Sequence, residues 1–384
     1  MAKLGEVCTI VSGSTPKTSV TSYWDGNIKW ITPAELNEDT FYIMDSVRHI
    51  TEEGKEKTGL SYLPTGTVIL SSRAPIGKTA IAGCEMCCNQ GFKNLICSDA
   101  IYNEYLYFFL KSKTDYLNSL GRGATFKEIS KSIVESIEIP LPEVNQQKEI
   151  AEKFKKLERL ISLRKQQLAK LDELVKARFV EMFGDPVYNE MHWETKRLID
   201  ICRTIVDCPH STPHYTTKDT GYKCIRTSAV KKNKILWEKV ECISKQEYEE
   251  RIKRKRPEKG DVIYTREGAI LGIAAVIDRD YNVALGQRSM LLSPDIYKCT
   301  PCFLSMAMNF DSFLGKALGG VSGSASPHIN VGDIKALEII APPIEIQNQF
   351  STFVEQVDQQ KQTVQQSLEK LELMKKALMQ EYFG

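Results

Sequence analysis

The chain has 384 residues, of which 42% are hydrophobic and 26% charged, proportions ordinary for a globular protein of two or three domains. Its 51 basic and 49 acidic residues give a formal net charge of +2, which argues neither for nor against a nucleic-acid partner. No apolar run approaches the roughly 18 residues that span a membrane, and the start of the chain lacks the apolar stretch of a signal peptide. We therefore expect a cytoplasmic protein that makes no membrane contact.

The eleven cysteines are irregularly spaced, which favours reduced thiols over a disulfide framework. Two groups have spacings that would suit a metal: Cys84-x2-Cys87-Cys88 with Cys97, and Cys299-x2-Cys302. Neither group is completed by the paired histidines or the second CxxC of a zinc site. We interpret these cysteines as packed side chains and predict no metal.

Each half of the chain mixes short strands with helices. In the first half, Thr67–Leu70 predicts a strand after a glycine turn, residues 102–120 an amphipathic helix, and Ile133–Ile139 a final strand. The second half repeats this order with a strand at Val262–Tyr264, an amphipathic helix over 301–318 and a strand over 334–340. Because the order lacks a clean βαβ alternation, the sequence predicts a mixed α/β fold.

The second half of the chain is a diverged copy of the first. Residues 120–184 match 320–384 at a constant offset of 200, and the upstream segments match more loosely at an offset near 194. Matching pairs in the tails include Gly123 and Gly323, Ile129 and Ile329, Pro142 and Pro342, Gln147 and Gln347, and Phe183-Gly184 and Phe383-Gly384. The repeat predicts four segments: a module over 1–144, a helix over 145–184, a module over 185–344 and a helix over 345–384.

The two tails carry apolar stripes at coiled-coil spacing, free of glycine and proline. The first stripe consists of Ile150, Phe154, Leu157, Ile161, Leu168, Leu171 and Val175, and the second of Phe350, Val354, Val357, Val364, Leu368, Leu371 and Leu378. Arg164 interrupts the first stripe, and Lys361 and Lys375 interrupt the second. Each stripe could pack on its own module, but its length and narrowness favour the two helices packing on each other.

Three segments come near to known catalytic motifs without completing them. Gly77-Lys78-Thr79 ends like a phosphate-binding loop, but Ser72 stands where the first glycine belongs. The prolines of Ala341–Ile344 only resemble an amino-methyltransferase signature, and no glycine-rich cofactor loop follows a strand. Asp261 and Glu267 flank a strand without the lysine motif of a nuclease. The sequence therefore predicts no catalytic residues and no cofactor.

Both halves resemble the specificity subunit of type I restriction–modification systems, and the resemblance covers essentially the whole chain. Its motifs are Leu4-Gly5-Glu6, Gly13-Ser14-Thr15-Pro16, Tyr23–Gly26, Trp30-Ile31-Thr32, Gly66-Thr67-Val68, Gly121–Thr125, Ile139–Pro142, Gly260–Ile263, Gly323-Ser324-Ala325 and Pro342-Pro343, with Gln147, Ile150 and Gln347. Each motif is weak alone, but their order, repeated twice, is specific. The chain departs from the family where Gln146 and Ile346 replace the usual glutamate.

The resemblance implies two target-recognition domains, each of which reads one half of a split target in double-stranded DNA. The two helices would form an antiparallel coiled coil that holds the domains apart and fixes their spacing. Two methyltransferase subunits would dock around the helices, and restriction subunits would join that core. The chain itself would have no catalytic activity.

DNA contacts should then come from basic, amide and aromatic side chains in the loops of each module. The candidates are Lys17, Arg73, Lys78, Lys93, Arg122 and Lys127 in the first module and His214, Lys231, Lys232, Arg266, Arg288 and His328 in the second. The glycine-rich loops Arg122–Lys127 and Ser322–His328 are further candidates. The basic run Arg251–Arg256 either faces phosphates or is a solvated helix end.

The first module, with 14 basic and 17 acidic residues, is slightly acidic. DNA contact there requires a local basic patch. This charge keeps a second hypothesis open, in which the chain is a non-enzymatic adaptor whose helices bind protein partners without DNA sequence recognition.

Overall fold

The computed structural model describes residues 1–37, 39–122, 127–319 and 328–384. The chain divides into two compact units. The first unit comprises Met1–Gln166 with Gln365–Gly384, and the second comprises Gln167–Val364. Each unit therefore contains one repeat module together with parts of both long helices.

The strands and short helices of the first unit all precede the first long helix. The strands are β1 (Ala2–Lys3), β2 (Cys8–Ser12), β3 (Trp24–Ile31), β4 (Tyr42–Ile43), β5 (Arg48–Ile50), β6 (Val68–Ser71), β7 (Thr79–Ala82), β8 (Cys87–Cys88), β9 (Phe92–Cys97) and β10 (Glu138–Ile139). The helices are α1 (Leu4–Val7), α2 (Glu52–Thr58), α3 (Asn103–Ser112), α4 (Thr114–Leu120) and α5 (Lys131–Ser136).

The main sheet of the first unit has five strands in the order β2-β9-β6-β7-β4. The pairs β2–β9, β9–β6 and β6–β7 are antiparallel, and β7–β4 is parallel. A smaller sheet has the order β5-β3-β8. The β6 strand follows Gly66, whose φ of 89° makes the predicted glycine turn possible.

One helix of the first unit differs from its prediction. The segment 102–120 forms two helices, α3 and α4, and α3 is buried on all sides from Glu104 to Leu110 rather than amphipathic. Tyr105, Phe108 and Phe109 of this helix fill the space between the sheet and the first long helix. The predicted amphipathic pattern therefore fails for α3, whose surroundings enclose it, whereas α4 buries Leu117 on one side only.

The predicted final strands were wrong over their first half. Lys131–Ser136 forms the helix α5, and only Glu138–Ile139 forms a strand, which pairs with β1. The Ser130 side chain caps α5 by accepting a hydrogen bond from the backbone N–H of Ile133 over 3.3 Å. The second unit repeats this arrangement with the helix α11 (Val331–Ala336) before the strand β22 (Glu338–Ile340).

The second unit repeats the layout of the first. Its strands are β11 (Thr195–Arg197), β12 (Cys202–Asp207), β13 (Tyr215–Thr216), β14 (Tyr222–Ile225), β15 (Val230–Lys231), β16 (Lys234–Ile235), β17 (Glu241–Ile243), β18 (Val262–Thr265), β19 (Ala274–Val276), β20 (Asn282–Leu285), β21 (Ser289–Pro294) and β22. Its other short helices are α7 (Leu198–Ile201), α8 (Lys245–Arg251), α9 (Pro301–Met308) and α10 (Asp311–Leu318).

The two main sheets are equivalent. The order β12-β21-β18-β19 in the second unit corresponds to β2-β9-β6-β7 in the first. Thr265 pairs with Ser289 where Ser71 pairs with Phe92, so the registers of the central strands also correspond. A second sheet in this unit has the order β13-β17-β14-β20.

The long helices are α6 (Val144–Phe183) and α12 (Ile344–Phe383), each of 40 residues. Every residue of the two predicted stripes is buried or half-buried. In the first unit, the start of α6 packs on the end of α12, where the rings of Phe154 and Phe383 stack with centroids 5.6 Å apart. In the second unit, the end of α6 packs on the start of α12, where Phe179 and Phe350 meet at 5.4 Å.

The lysines that interrupt the second stripe are paired with carboxylates of α6. Lys375 Nζ lies 2.7 Å from a carboxylate oxygen of Glu158 in the first unit, and Lys361 Nζ lies 2.6 Å from Asp172 in the second. Gly184 follows the last residue of α6 with a φ of 72°, a left-handed conformation that ends the helix and that glycine adopts readily.

Candidate nucleic-acid interface

One end of the main sheet in the first unit gathers several predicted site residues. The strand β6 ends at Ser71, and the next two residues pair with the segment that precedes α5. Ile129 donates its backbone N–H to the Ser72 carbonyl over 2.9 Å, and Arg73 forms an isolated bridge with Glu128. Glu128 is bridged in turn to Arg122. The ends of three segments therefore meet at Glu128, in what we call the first junction.

Three charged side chains converge at the first junction. Glu128 accepts hydrogen bonds from Arg73 Nε over 2.9 Å and from Lys93 Nζ over 3.1 Å. Burial raises the pKa of Glu128, but these two hydrogen bonds outweigh it and leave the pKa below its ordinary value. Lys93 is only 6% exposed. It lies in β9 and not in a loop, as had been predicted, and it supports the junction from inside the sheet.

The other predicted residues of the first module differ in how far their charged groups are exposed to solvent. Lys78 donates to the backbone carbonyls of Pro33 and Leu36 over 3.2 and 2.6 Å, so its ammonium ties two loops together rather than facing solvent. Lys17, Arg122 and Lys127 are exposed. The loop residues between Arg122 and Lys127, predicted as a further contact, lie outside the described residues.

The second unit has an equivalent junction at the end of β18. Ile329 donates its backbone N–H to the Arg266 carbonyl over 2.9 Å, and Glu267 forms an isolated bridge with His328. Arg288, in the left-handed conformation at a φ of 67°, places Nε 3.8 Å from Glu267. We call this set the second junction. The loop 322–327, predicted alongside His328, lies outside the described residues.

Arg266 is 7% exposed and forms a two-pronged ion pair with Asp207, at 2.9 Å from Nε and 3.0 Å from Nη2. Asp207 also lies 3.0 Å from Nε2 of His210. Because Asp207 engages its guanidinium, Arg266 is a support of the second junction. Arg266 lies in the loop directly after β18, as predicted, but its side chain is buried.

Two predicted residues of the second module pair with acids outside the second junction. His214 is exposed and lies 3.5 Å from Glu247 of α8. Lys232 pairs with Asp311 at 2.8 Å. Its neighbour Lys231 is an exposed residue of β15. The structure thus brings together Arg266, Arg288 and His328, but not the remaining three.

The basic run Arg251–Arg256, which begins at the last residue of α8, is only partly solvated. Arg251 is 6% exposed and donates to the carbonyls of Leu285 and Ser211 over 3.2 and 2.7 Å. Arg254 donates to the Asp207 carbonyl over 3.3 Å. The run therefore begins with a buried arginine that is hydrogen-bonded to backbone carbonyls, and it is not a free basic tail.

Corresponding positions in the two junctions carry different side chains. Arg73 and Glu267 each follow the central strand by two residues, and each bridges the segment before α5 or α11. Their bridge partners are Glu128 and His328. Glutamate thus replaces arginine at one position of the shared backbone arrangement and histidine replaces glutamate at the other, so the two junctions present different chemistry to a ligand.

The sequence search missed the carboxylates of these junctions, Glu128 and Asp207. The candidate residues were basic ones, chosen because they can bind phosphate. No local motif marks an acidic residue whose partners lie about 35 to 60 positions away in the chain. The repeat did contain a signal, since residues 128 and 328 both follow a glycine-rich loop and precede an isoleucine at the constant offset.

Of the cysteines whose spacing would suit a metal, Cys87, Cys88 and Cys299 are buried. Burial raises the pKa of Cys87 to about 11 and that of Cys88 to about 12, so both are neutral thiols at pH 7. Over the described ranges, no group of three histidine, cysteine or acidic residues is placed to hold a metal ion. Nor does any described helix have the length and apolarity to cross a membrane.

Residues 1–173 and 190–373 each match the family described as the type I restriction modification DNA specificity domain. Because these matches cover most of the sequence, the chain belongs to that family. The specificity subunit of the type I restriction enzyme MjaIX from Methanocaldococcus jannaschii is 29% identical over 376 residues, which cover 92% of this chain and 85% of that protein.

Two solved structures share the fold over the whole chain. The S subunit of a type I restriction–modification system from M. genitalium aligns with a TM-score of 0.56 at 15% identity, covering 100% of this chain and 95% of that one. A chain from a study of type I system assembly and conformational transition aligns with a TM-score of 0.62 at 18% identity, covering 100% and 96%. The family resemblance and the tandem specificity domains predicted from the sequence are confirmed, and DNA specificity is favoured over the adaptor hypothesis.

Proposed function

We propose that each module of this chain reads one half of a bipartite target in double-stranded DNA and so directs partner enzymes to that target. The observation that carries the proposal is the pair of junctions. They have the same backbone hydrogen bonding, but their side chains differ in charge, with Arg73 in the first where Glu267 stands in the second. Matched backbone arrangements with different side chains suit a target whose two halves have different sequences. Exposed Arg122 and Lys127 at the first junction, with exposed Lys17 on the loop after β2, would supply the local positive charge that the slightly acidic first module requires.

In this proposal the modules 1–144 and 185–344 are target-recognition domains, and helices 145–184 and 345–384 form an antiparallel coiled coil between them. The buried stripes support the coiled coil, as do the ion pairs Lys375–Glu158 and Lys361–Asp172, each of which joins α6 to α12 within one unit. A coiled coil is stiff, so its length sets the separation of the half-sites.

The outer surface of the long helices would bind protein partners. Several large apolar side chains on α6 and α12 are more than 40% exposed: Leu160, Leu163, Leu174, Val180, Leu373 and Met374. Exposed apolar groups on a helix favour a protein partner over open solvent. We assign them to two methyltransferase subunits, to which restriction subunits would add.

The chain would recognise DNA and would have no catalytic activity of its own. The junction acids are engaged by cations: Glu128 by Arg73 and Lys93, and Asp207 by Arg266. Carboxylates held in this way serve as supports and not as metal ligands or general bases. We place the complex in the cytoplasm, where the eleven unpaired cysteines would stay reduced.

Modification mapping tests the proposal. The full chain is produced in cells with its methyltransferase subunits, and methylated positions in the DNA are mapped by long-read sequencing. We expect one bipartite motif that depends on this chain. Exchanging residues 1–144 for the corresponding module of a relative should change one half of the motif and leave the other unchanged.

A complex that assembles but methylates no defined motif would contradict the proposal and restore the adaptor hypothesis. If both halves of the motif change after one module is exchanged, the proposal that each module reads one half would be contradicted. Binding of the complex to duplex DNA should also weaken steeply with salt, because phosphate contacts release counterions.

A further inference from the structure

A cluster of three polar side chains lies beside the first junction, where the main sheet ends. Thr15 donates its hydroxyl hydrogen to Oε1 of Gln90 and accepts a hydrogen bond from Nδ2 of Asn89 over 2.9 Å. Asn89 Nδ2 also lies 3.2 Å from Oε1 of Gln90. The cluster therefore joins the loop after β2 to the loop before β9, and Gln90 receives both of its internal hydrogen bonds through one oxygen.

The backbone beneath this cluster is closely packed. The backbone N–H of Ser14 donates to the Cys88 carbonyl over 3.0 Å, and that of Asn89 donates to the Ile31 carbonyl over 2.9 Å. A Cβ on Gly13 would lie 2.0 Å from the Asn89 carbonyl oxygen, so only glycine permits the two loops to approach this closely. The Gln90 side chain is thus held in place before any ligand arrives, which lowers the entropic cost of binding.

The amide nitrogen of Gln90, unlike its oxygen, is available to a ligand. Within the ranges that the structure describes, no group accepts a hydrogen bond from Nε2 of Gln90, and the residue is half-buried. Lys17, two residues beyond Thr15, is exposed on the same loop. The cluster thus offers a fixed N–H donor with an exposed positive charge on the same loop, a combination that suits a base edge flanked by a phosphate.

The second module has a glutamine in the same place. Gln90 and Gln287 each lie two residues before the paired strand β9 or β21. Gln287 donates Nε2 to the backbone carbonyl of His210, and no described group donates to its Oε1. The same residue type is therefore oriented oppositely in the two modules, with a donor open in the first and an acceptor open in the second.

We propose that Gln90 and Gln287 are base-specifying residues, one for each half of the target. Gln90 would donate to an acceptor on a base edge, such as N7 or O6 of a purine, and Gln287 would accept from an exocyclic amine of adenine or cytosine. This inference rests on the proposed DNA-reading function and adds to it the residues and the hydrogen-bonding class of base that each selects.

The substitution Gln90→Glu tests the first half of the inference with little structural change. Glutamate keeps the oxygen that accepts from Thr15 and Asn89 but replaces the open donor with a second acceptor. In the assembled methyltransferase complex, we expect methylation of the original motif to slow on the order of tenfold, with altered or relaxed preference at one position of one half-site. The control Gln246→Glu makes the same charge change at an exposed residue of the second module and should leave the first half-site unchanged.

Gln287→Met is the counterpart in the second module and should alter only the other half-site. An unchanged motif and unchanged methylation rate in Gln90→Glu would overturn the inference. A uniform loss at all sites, accompanied by a lower melting temperature and repeated in Gln90→Met, would overturn it too, because it would show a purely structural role. Failure of the wild-type complex to methylate any motif would instead contradict the proposed function itself.

Discussion

The side-chain oxygen of Gln147 accepts a hydrogen bond from the backbone N–H of Tyr102 over 2.8 Å, inside the first unit. The amide nitrogen of the same side chain donates to the carbonyls of Ala100 and Pro142 over 3.0 and 2.8 Å. Gln147 is fully buried in the first turns of α6. One amide therefore binds the long helix to the start of α3 and to the segment that leads into α6.

Gln347 repeats this arrangement in the second unit. It accepts from the backbone N–H of Thr300 over 2.9 Å and donates to the carbonyls of Lys298 and Pro342 over 3.1 and 2.8 Å. The two glutamines stand at the constant offset of the repeat. Their matched hydrogen bonds explain physically why the repeat keeps glutamine at a buried position, where an apolar residue would leave three backbone groups unsatisfied.

The first prediction concerns Gln147→Leu. The substitution leaves one N–H and two carbonyl groups buried without this partner, so we expect the free energy of unfolding to fall by about 2–4 kcal/mol. Urea denaturation followed by circular dichroism measures the change. The matched control is Gln146→Leu, which replaces the exposed neighbouring glutamine. Equal stabilities for the two variants would contradict the role assigned to Gln147.

The second prediction concerns the ion pairs between the long helices. Glu158 accepts from Lys375 at 2.7 Å and from Lys111 at 3.2 Å, and all three side chains are half-buried. Glu158→Gln leaves two ammonium groups facing a neutral amide, so we expect a loss of about 1 kcal/mol. Glu372→Gln is the control, since its partner Lys165 is 3.8 Å away and exposed. If both variants lose the same stability, the Glu158 pairs have no special importance.

The long helices could be predicted from the sequence because each stripe repeats over many turns without glycine or proline. The short helices α5 and α11 could not, since residues such as Ile133 and Val134 favour strands locally. The Ser130 cap and burial of Val134 against the core decide the outcome there. The Arg73–Glu128 pair was likewise invisible, because its partners are 55 residues apart and only the fold brings them together.

The third prediction is a pH dependence at the first junction. The pKa of Glu128 in the folded chain is lower than its ordinary value of 4.5, despite burial, because Arg73 and Lys93 donate to the carboxylate. A lowered folded pKa adds stability above the unfolded pKa and loses it as the pH falls towards the folded value. We therefore expect Glu128→Gln to destabilise the chain by about 2 kcal/mol at pH 7 and by less below pH 4.5.

Denaturation of the wild type and of Glu128→Gln at pH 7 and at successively lower pH tests this prediction. Glu135→Gln, which removes an exposed carboxylate of α5, serves as the control and should change stability little at any pH. A stability difference for Glu128→Gln that stays constant as the pH falls would show that the charge of Glu128 does not stabilise the junction.

The fourth prediction compares two ion pairs with the same two-pronged geometry. Asp207 binds buried Arg266, and Asp200 binds exposed Arg197 at 2.8 and 3.0 Å. Asp207→Asn should cost about 3 kcal/mol because it leaves a buried guanidinium without its counter-charge. Asp200→Asn should change the melting temperature much less, because water replaces the lost partner of an exposed arginine. Thermal denaturation of both variants measures the difference, and similar melting temperatures would show that Arg266 does not depend on Asp207.

The fifth prediction concerns Lys17, the exposed cation on the loop that carries Thr15. A lysine that contacts a phosphate releases about 0.9 of a counterion, so Lys17→Ala in the methyltransferase complex should lower the slope of log K against log salt by about that amount. The methylated motif should stay the same, since a phosphate contact carries no base information. Lys57→Ala, an exposed lysine of α2, is the control and should leave the slope unchanged. A changed motif in Lys17→Ala would instead place its ammonium at a base edge, and an unchanged slope would place it away from the DNA.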